Sequence, residues 1–261
     1  MEDNNEQNIA DQVISNELKF KAKLAIGEDA YTSLKTLRIT KEVWDVLGAA
    51  TTGAAVAGSS TVATTFFASN SLFAALGLAA TPIGWIVAAG LASGAIWYGG
   101  VKFFQKEGSD RVDVIPKFLN TGIDLLANSL FCLITPLALK VAEADGYVDK
   151  YELDVIERYF VDQWGYDRNY VTYQLTYCIE NKSAQQVKVL AEALADYKRK
   201  NPDCNYEKIS NDVKKFLLDI AQADGEYSEQ EKNVLEIVNM VFDNYSKPSF
   251  AFREFFKKNK T

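Results

Sequence analysis

The chain has 261 residues, a net charge of −7 and a pI near 4.9, a length that allows two modest domains. An acidic chain without a basic face is a poor nucleic-acid ligand, because phosphate neutralisation dominates that affinity. The absence of histidine removes Ser-His-Asp and Cys-His nucleophiles and the usual zinc imidazoles, and Cys132, Cys178 and Cys204, far apart with no CxxC pair, fit buried or free thiols of a reducing compartment.

Residues 1–12 are acidic and amide-rich and read as disordered. No basic region there precedes an apolar core, so no signal peptide is expected. From Val13 to Trp44, apolar positions such as Leu18, Leu24, Leu34 and Leu37 interleave with Lys19, Lys21, Lys23, Lys35, Arg38 and Lys41. An amphipathic basic segment suits either an anionic membrane surface or a charged helix lying on a soluble domain. Residues 1–44 are read as this polar and basic N-terminal segment.

From Val46 to Val101 the sequence carries no charged residue. A run of about 18 apolar residues is already a candidate span, and this one has room for two spans of about 20 and a turn. Its first half is rich in Ala, Gly, Thr and Ser, with Gly53 and Gly58. Its second half holds Trp85, Gly90, Gly94 and Trp97. Gly90-xxx-Gly94 is a small-xxx-small face that lets helix backbones approach closely in lipid, and Trp85 and Trp97 suit the interface level. Bases flank both sides, which places both ends in the cytoplasm with the turn near Ser69–Ser71 or Pro82. Residues 45–104 are read as an apolar Gly/Ala-rich hairpin. Three states stay open: a constitutive span, a hairpin inserted on a trigger, and the buried centre of a soluble bundle, since an all-round apolar helix is also a core helix.

Gly108-Ser109-Asp110 marks a linker. Pro116 opens a helical pattern through Ile123, Leu126 and Leu130, which Pro136 is expected to kink or interrupt. Tyr166, Tyr170, Tyr173 and Tyr177 recur at helical spacing, as a bundle seam or an aromatic partner groove. The C-terminal tail, with Phe250, Phe252, Phe255, Phe256, Lys257 and Lys258, is basic and aromatic and suits membrane or domain equally. No P-loop, GxGxxG or GxSxG elbow is present, and no enzymatic activity is expected.

Two segments of the C-terminal half match each other. Leu139 to Glu152 contains Ala142-Glu-Ala-Asp145-Gly146, then Val148, Asp149 and Glu152. Leu218 to Glu231 contains Ala221-Gln-Ala-Asp224-Gly225, then Tyr227, Ser228 and Glu231. Gly146 and Gly225 suit the left-handed position that ends a helix, and Asp149/Glu152 and Ser228/Glu231 suit capping boxes for the next one. The same residues also imitate the second half of a calcium-binding loop, with Glu152 in the place of the bidentate carboxylate. The first ligand position is Val141 or Ile220, which excludes a full EF-hand. Helix capping and a weak shared cation site between the turns both remain open.

This doubled Ala-x-Ala-Asp-Gly signature with an acidic helix start resembles the tellurite-resistance TerB-like family, over roughly residues 118–244. The resemblance implies an all-helical domain and a part in stress-response or phage-defence systems acting at the membrane. It also implies a divalent cation, Ca or Mg, on Asp145, Asp149, Glu152, Asp224 and Glu231; Ser228 departs from the pattern and weakens the second half of that set. The expected fold class is all-α, an apolar hairpin followed by a TerB-like bundle (residues 105–261) with two pseudo-repeated helix–turn–helix units. The expected partners are the lipid bilayer, proteins of a stress or defence system and a second copy of the chain; nucleic acid is not among them. The expected place is the inner membrane with the TerB-like domain cytoplasmic, or otherwise the cytoplasm. The function expected is a membrane-held sensing or scaffold module. The alternatives are a pore-like effector whose hairpin the domain restrains, and a soluble partner- or metal-binding protein.

Overall fold

A computed structural model describes residues 11–25, 27–36, 38, 119–146, 148–180, 185–200 and 205–246. The described residues are helical throughout: α1 (Glu17–Leu24), α2 (Glu28–Thr36), α3 (Gly122–Ala142), α4 (Lys150–Arg158), α5 (Arg168–Glu180), α6 (Val187–Lys200), α7 (Tyr206–Ala221) and α8 (Glu229–Ser246). A π-helical turn, Tyr159–Trp164, continues α4. The all-α expectation holds. The apolar hairpin, with Gly53, Gly58, Trp85, Gly90, Gly94 and Trp97, and the basic aromatic tail lie outside the described residues.

Helix α3 is the axis of the core. Thr121 caps its start: its Oγ1 accepts from the Asp124 N–H at 3.2 Å, and Asp124 Oδ2 accepts from the Thr121 N–H at 2.9 Å. This reciprocal box satisfies two donors that a helix start would leave bare. Its composition would let it cross a membrane, but 94% of its most apolar stretch is buried inside the protein, so its hydropathy reports a core helix. Pro136 is expected to kink or interrupt this region; no interruption occurs, and α3 runs from Gly122 to Ala142 with Pro136 inside it. A proline there removes one N–H from the ladder, and the burial of Leu133, Ile134, Leu137 and Ala138 around it holds the helix together against that loss.

The N-terminal segment belongs to the same core. Val13, Phe20, Leu24 and Leu34 have no exposed surface and Tyr31 is buried. Asn16 caps α1, its Oδ1 accepting from the Lys19 N–H at 3.0 Å, and Ala25 ends it in the left-handed region at φ 53°. The segment before α1 pairs with the chain beyond the π turn. The N–H groups of Ser15 and Asn16 both donate to the Gly165 carbonyl, at 3.0 and 2.9 Å, and the Asp167 N–H donates to the Val13 carbonyl at 2.8 Å. Of the two readings of the basic segment, packing on the domain is the one observed.

The π turn sets this dock. It carries Tyr159, Phe160 and Trp164 inward and ends at Gly165, φ 78°. Phe20 lies against Trp164 and Tyr166 with ring centroids 5.8 Å from each, and Phe131 lies 4.5 Å from Phe160. Tyr159 stacks on Phe216 of α7 at 3.6 Å. Its hydroxyl donates to Asp212 Oδ2 at 2.7 Å, and Lys23 of α1 pairs with the other oxygen of Asp212. α1, the π turn and α7 are thus joined around one carboxylate. Two of the recurring tyrosines are a seam: Tyr166 and Tyr170 are fully buried and donate to the Ala127 carbonyl and to Asn128 Oδ1, each at 2.7 Å. Tyr173 and Tyr177 are half-buried.

One further pairing bears on function. Arg38, just after α2, forms an isolated antiparallel bridge with Thr121, the cap of α3. Two residues 83 positions apart in sequence are therefore neighbours at the start of α3.

Candidate functional site

The two Ala-Asp-Gly turns are built with the same local geometry. After α3, the N–H groups of Ala144 and Gly146 donate to the carbonyls of Val141 and Glu143, each at 3.0 Å. After α7, those of Ala223 and Gly225 donate to Ile220 and Gln222, at 2.9 and 3.3 Å. Gly146 sits at φ 115° and Gly225 at φ 87°, backbone that an L side chain rarely adopts.

Each turn then feeds a capped helix. Glu152 Oε2 accepts from the Asp149 N–H at 2.7 Å, and Asp149 Oδ1 accepts from the Tyr151 N–H at 2.7 Å. In the second unit Glu231 Oε2 accepts from the Ser228 N–H at 2.7 Å, and Ser228 Oγ accepts from the Glu231 N–H at 3.1 Å. Ser in place of Asp at position 228 makes the same cap with one charge fewer. Asp224 Oδ1 accepts from the Glu226 N–H at 2.9 Å, an Asx turn that bends the chain toward α8.

Both capping glutamates are buried, at 6% exposure each. Charged side chains are rarely so buried unless paired. Glu152 responds to this strongly. Burial lifts its carboxyl to about 7; the Asp149 N–H pulls it down, and Glu231, Asp145 and Asp224 push it further up. Acids 79 positions apart in sequence thus face one another across the two turns. Asp145, Glu152, Asp224 and Glu231 are brought into one electrostatic neighbourhood, while Asp149 serves as the cap of α4.

Oxygen donors of this kind suit hard divalent cations. Among the described residues, however, no three His, Cys, Asp or Glu side chains stand close enough to hold one ion. Glu143, which falls on a calcium-loop position, pairs instead with Lys140 at 3.6 Å. The turns converge as opposed, capped carboxylates rather than as a preformed cage.

Two exposed aromatic side chains stand next to the caps in sequence. Tyr151, in the first turn of α4, is 62% exposed, and Tyr227 is 37% exposed with the Lys232 ammonium 5.2 Å from its ring centre. Exposed singly, such side chains are ordinary protein surface. Of the two described thiols, Cys132 is buried and burial pushes Cys178 up to about 12, so neither is an activated nucleophile.

An all-α bundle with two glycine turns, each leading into an acidic capping box, is the class this geometry defines. The family model for Tellurite resistance protein TerB matches residues 133–244, so this part of the chain is similar to that family. The match begins within α3 and spans both turns; α1, α2 and the start of α3 lie outside it. No curated protein and no solved structure matches the chain.

Proposed function

We propose that this protein is a non-catalytic TerB-type module held at a membrane by its apolar segment, presenting the acidic turn pair to a partner of a stress or defence system. The observation that carries the reading is the charge-free run from Val46 to Val101, joined in one chain to a domain similar to the TerB family. Basic residues on both flanks favour a cytoplasmic bundle. Carbonate extraction of membranes from expressing cells tests it. The protein is expected in the pellet, and Ala88→Arg with Ala92→Arg, at about 2.5–3.5 kcal/mol per charge at mid-span, is expected to move it to the supernatant. Wild-type protein that is soluble without detergent overturns the constitutive span.

The Gly90-xxx-Gly94 face favours a second reading, a membrane-disrupting effector in which close helix approach builds the lesion. Expression would then dissipate the membrane potential, and Gly90→Leu with Gly94→Leu would restore it. Toxicity unchanged by removing residues 46–101 defeats this reading.

A divalent cation at the turn pair is a further part of the proposal. Asp145, Asp149, Glu152, Asp224 and Glu231 are its candidate ligands, and the ion would have to draw together carboxylates that stand too far apart to form a cage without it. Calorimetric titration with Ca²⁺, Mg²⁺ and Mn²⁺ decides: no heat at millimolar ion leaves these residues as helix caps, and binding that survives Glu152→Gln with Glu231→Gln moves the site elsewhere.

A further inference from the structure

The elements that leave the bundle do so at one end of it. α3 starts at Thr121, where Arg38 bridges it, and its 21 residues rise about 31 Å to the first acidic turn. α7 runs to the second turn, and α8 returns antiparallel beside it. Tyr206, at the start of α7, donates its hydroxyl to the Phe242 carbonyl at 2.9 Å, and Lys214 pairs with Asp243 at 2.6 Å. Over its 18 residues α8 travels about 27 Å, so Ser246 lies at the α7-start end. That end adjoins α1: Lys208 Nζ donates to the Ala22 carbonyl at 3.3 Å. The acidic turns share the opposite end, where Glu152 feels Glu231, Asp145 and Asp224.

Resting on the membrane reading above, we propose that the end holding Arg38, Thr121 and Ser246 is the lipid-facing surface, and that the bundle stands on the bilayer with its acidic turns about 30 Å away. Three observations converge on this surface. Arg38 and Thr121, the described residues on either side of the charge-free run, are paired in one bridge, so a run that inserts would cross the bilayer an even number of times. The tail after Ser246 carries the second lipid-compatible pattern of the sequence, with Phe255 and Phe256 followed by Lys257 and Lys258; basic aromatic segments bind anionic headgroups. The acidic face points the other way. The negative potential of an anionic leaflet decays within a Debye length of about 8 Å, so turns held about 30 Å out escape its repulsion and stay open to a soluble, basic partner.

The test uses the full chain in vesicles of phosphatidylethanolamine and phosphatidylglycerol that carry a headgroup nitroxide. Fluorophores are attached at single cysteines, Asn120→Cys or Arg38→Cys at one end and Glu226→Cys or Glu229→Cys at the other, with Cys178→Ser and Cys204→Ser in the background. Two positions at each end guard against one variant misfolding. The expected result is several-fold stronger quenching at 120 and 38 than at 226 and 229, and a several-fold weaker vesicle affinity for Lys257→Glu with Lys258→Glu. Equal quenching at both ends, or stronger quenching at 226 and 229, overturns the orientation in a protein that still floats with the vesicles. Protein that does not float overturns the membrane reading itself, and the orientation with it.

Discussion

Where α3 begins, residues 11–36 are held by backbone hydrogen bonds to Gly165 and Asp167 and by side chains sunk to zero exposure. Where α3 ends, two short turns place Glu152 within the electrostatic reach of Glu231, Asp145 and Asp224, and each turn is closed by residues within a few positions of itself. The first end draws its stability from contacts distant in sequence. The second is assembled locally and buries a carboxyl, Glu152, near other acids. A binding face is expected to retain such tension, because a ligand can relieve it, whereas a structural dock has none to spare.

Damage to the dock is the largest effect expected. A bundle in which a short Gly-Ser turn joins Arg38 to Thr121 in place of residues 39–120 is expected to fold, since the bridge already brings those ends together; a helical circular dichroism spectrum and a cooperative urea transition check it. In that background Phe20→Ala is expected to lose about 3–5 kcal/mol, the usual range for deleting a buried ring. A loss under about 1 kcal/mol by urea denaturation means that α1 is not part of the core. Gly165→Ala comes next, at about 2–3 kcal/mol. It combines a φ of 78° with a new Cβ only 2.4 Å from the Asn16 carbonyl oxygen, and backbone cannot swing aside.

At the turns the effects are smaller and should be twins. A Cβ at Gly146 or Gly225 meets no atom within 4 Å, so the penalty of Gly146→Val and of Gly225→Val is chiefly backbone strain, about 1–2 kcal/mol each. A large inequality in urea midpoints breaks the equivalence of the two turns. The smallest effect is a gain. Glu152 has a folded pKa raised from 4.5 to about 7, so the folded state binds the proton more tightly than the unfolded state. That stabilisation is fully present below about pH 4.5, falls as pH rises and is gone above about pH 7. Glu152→Gln keeps an acceptor for the Asp149 N–H and removes the charge. It is expected to stabilise the bundle by on the order of 1 kcal/mol at pH 8 and to flatten the slope between pH 4.5 and 7. A variant with the wild-type slope assigns the pH dependence to another group.

The same contrast decides what could be read from sequence. The turns were legible because Ala-Asp-Gly, Asp149/Glu152 and Ser228/Glu231 act within a few residues, through a glycine conformation and a capping box. Their convergence was suggested by the repeat, but the burial of Glu152 and Glu231 was not, since it depends on helices packed around them. The dock was illegible for the opposite reason. Ser15 and Gly165 stand 150 positions apart, and nothing in the pattern of Val13 to Trp44 separates a helix buried on a bundle from one lying on lipid. Pro136 misled because the rule for proline is local while α3 is held by its surroundings. The π turn left no periodic mark; only its result, three aromatic rings turned into one core, reveals it.

The long separation within the dock also sets an order of events during synthesis. Phe20 emerges early, yet the rings that receive it, Trp164 and Tyr166, follow almost 150 residues later. At about 5–20 residues per second the wait is roughly 7–30 s. The whole charge-free run is made within that interval, before any finished bundle exists to shelter it. If the run is held by a membrane, as proposed, its capture has that window to itself, and the N-terminal segment waits for partners made more than half a chain later.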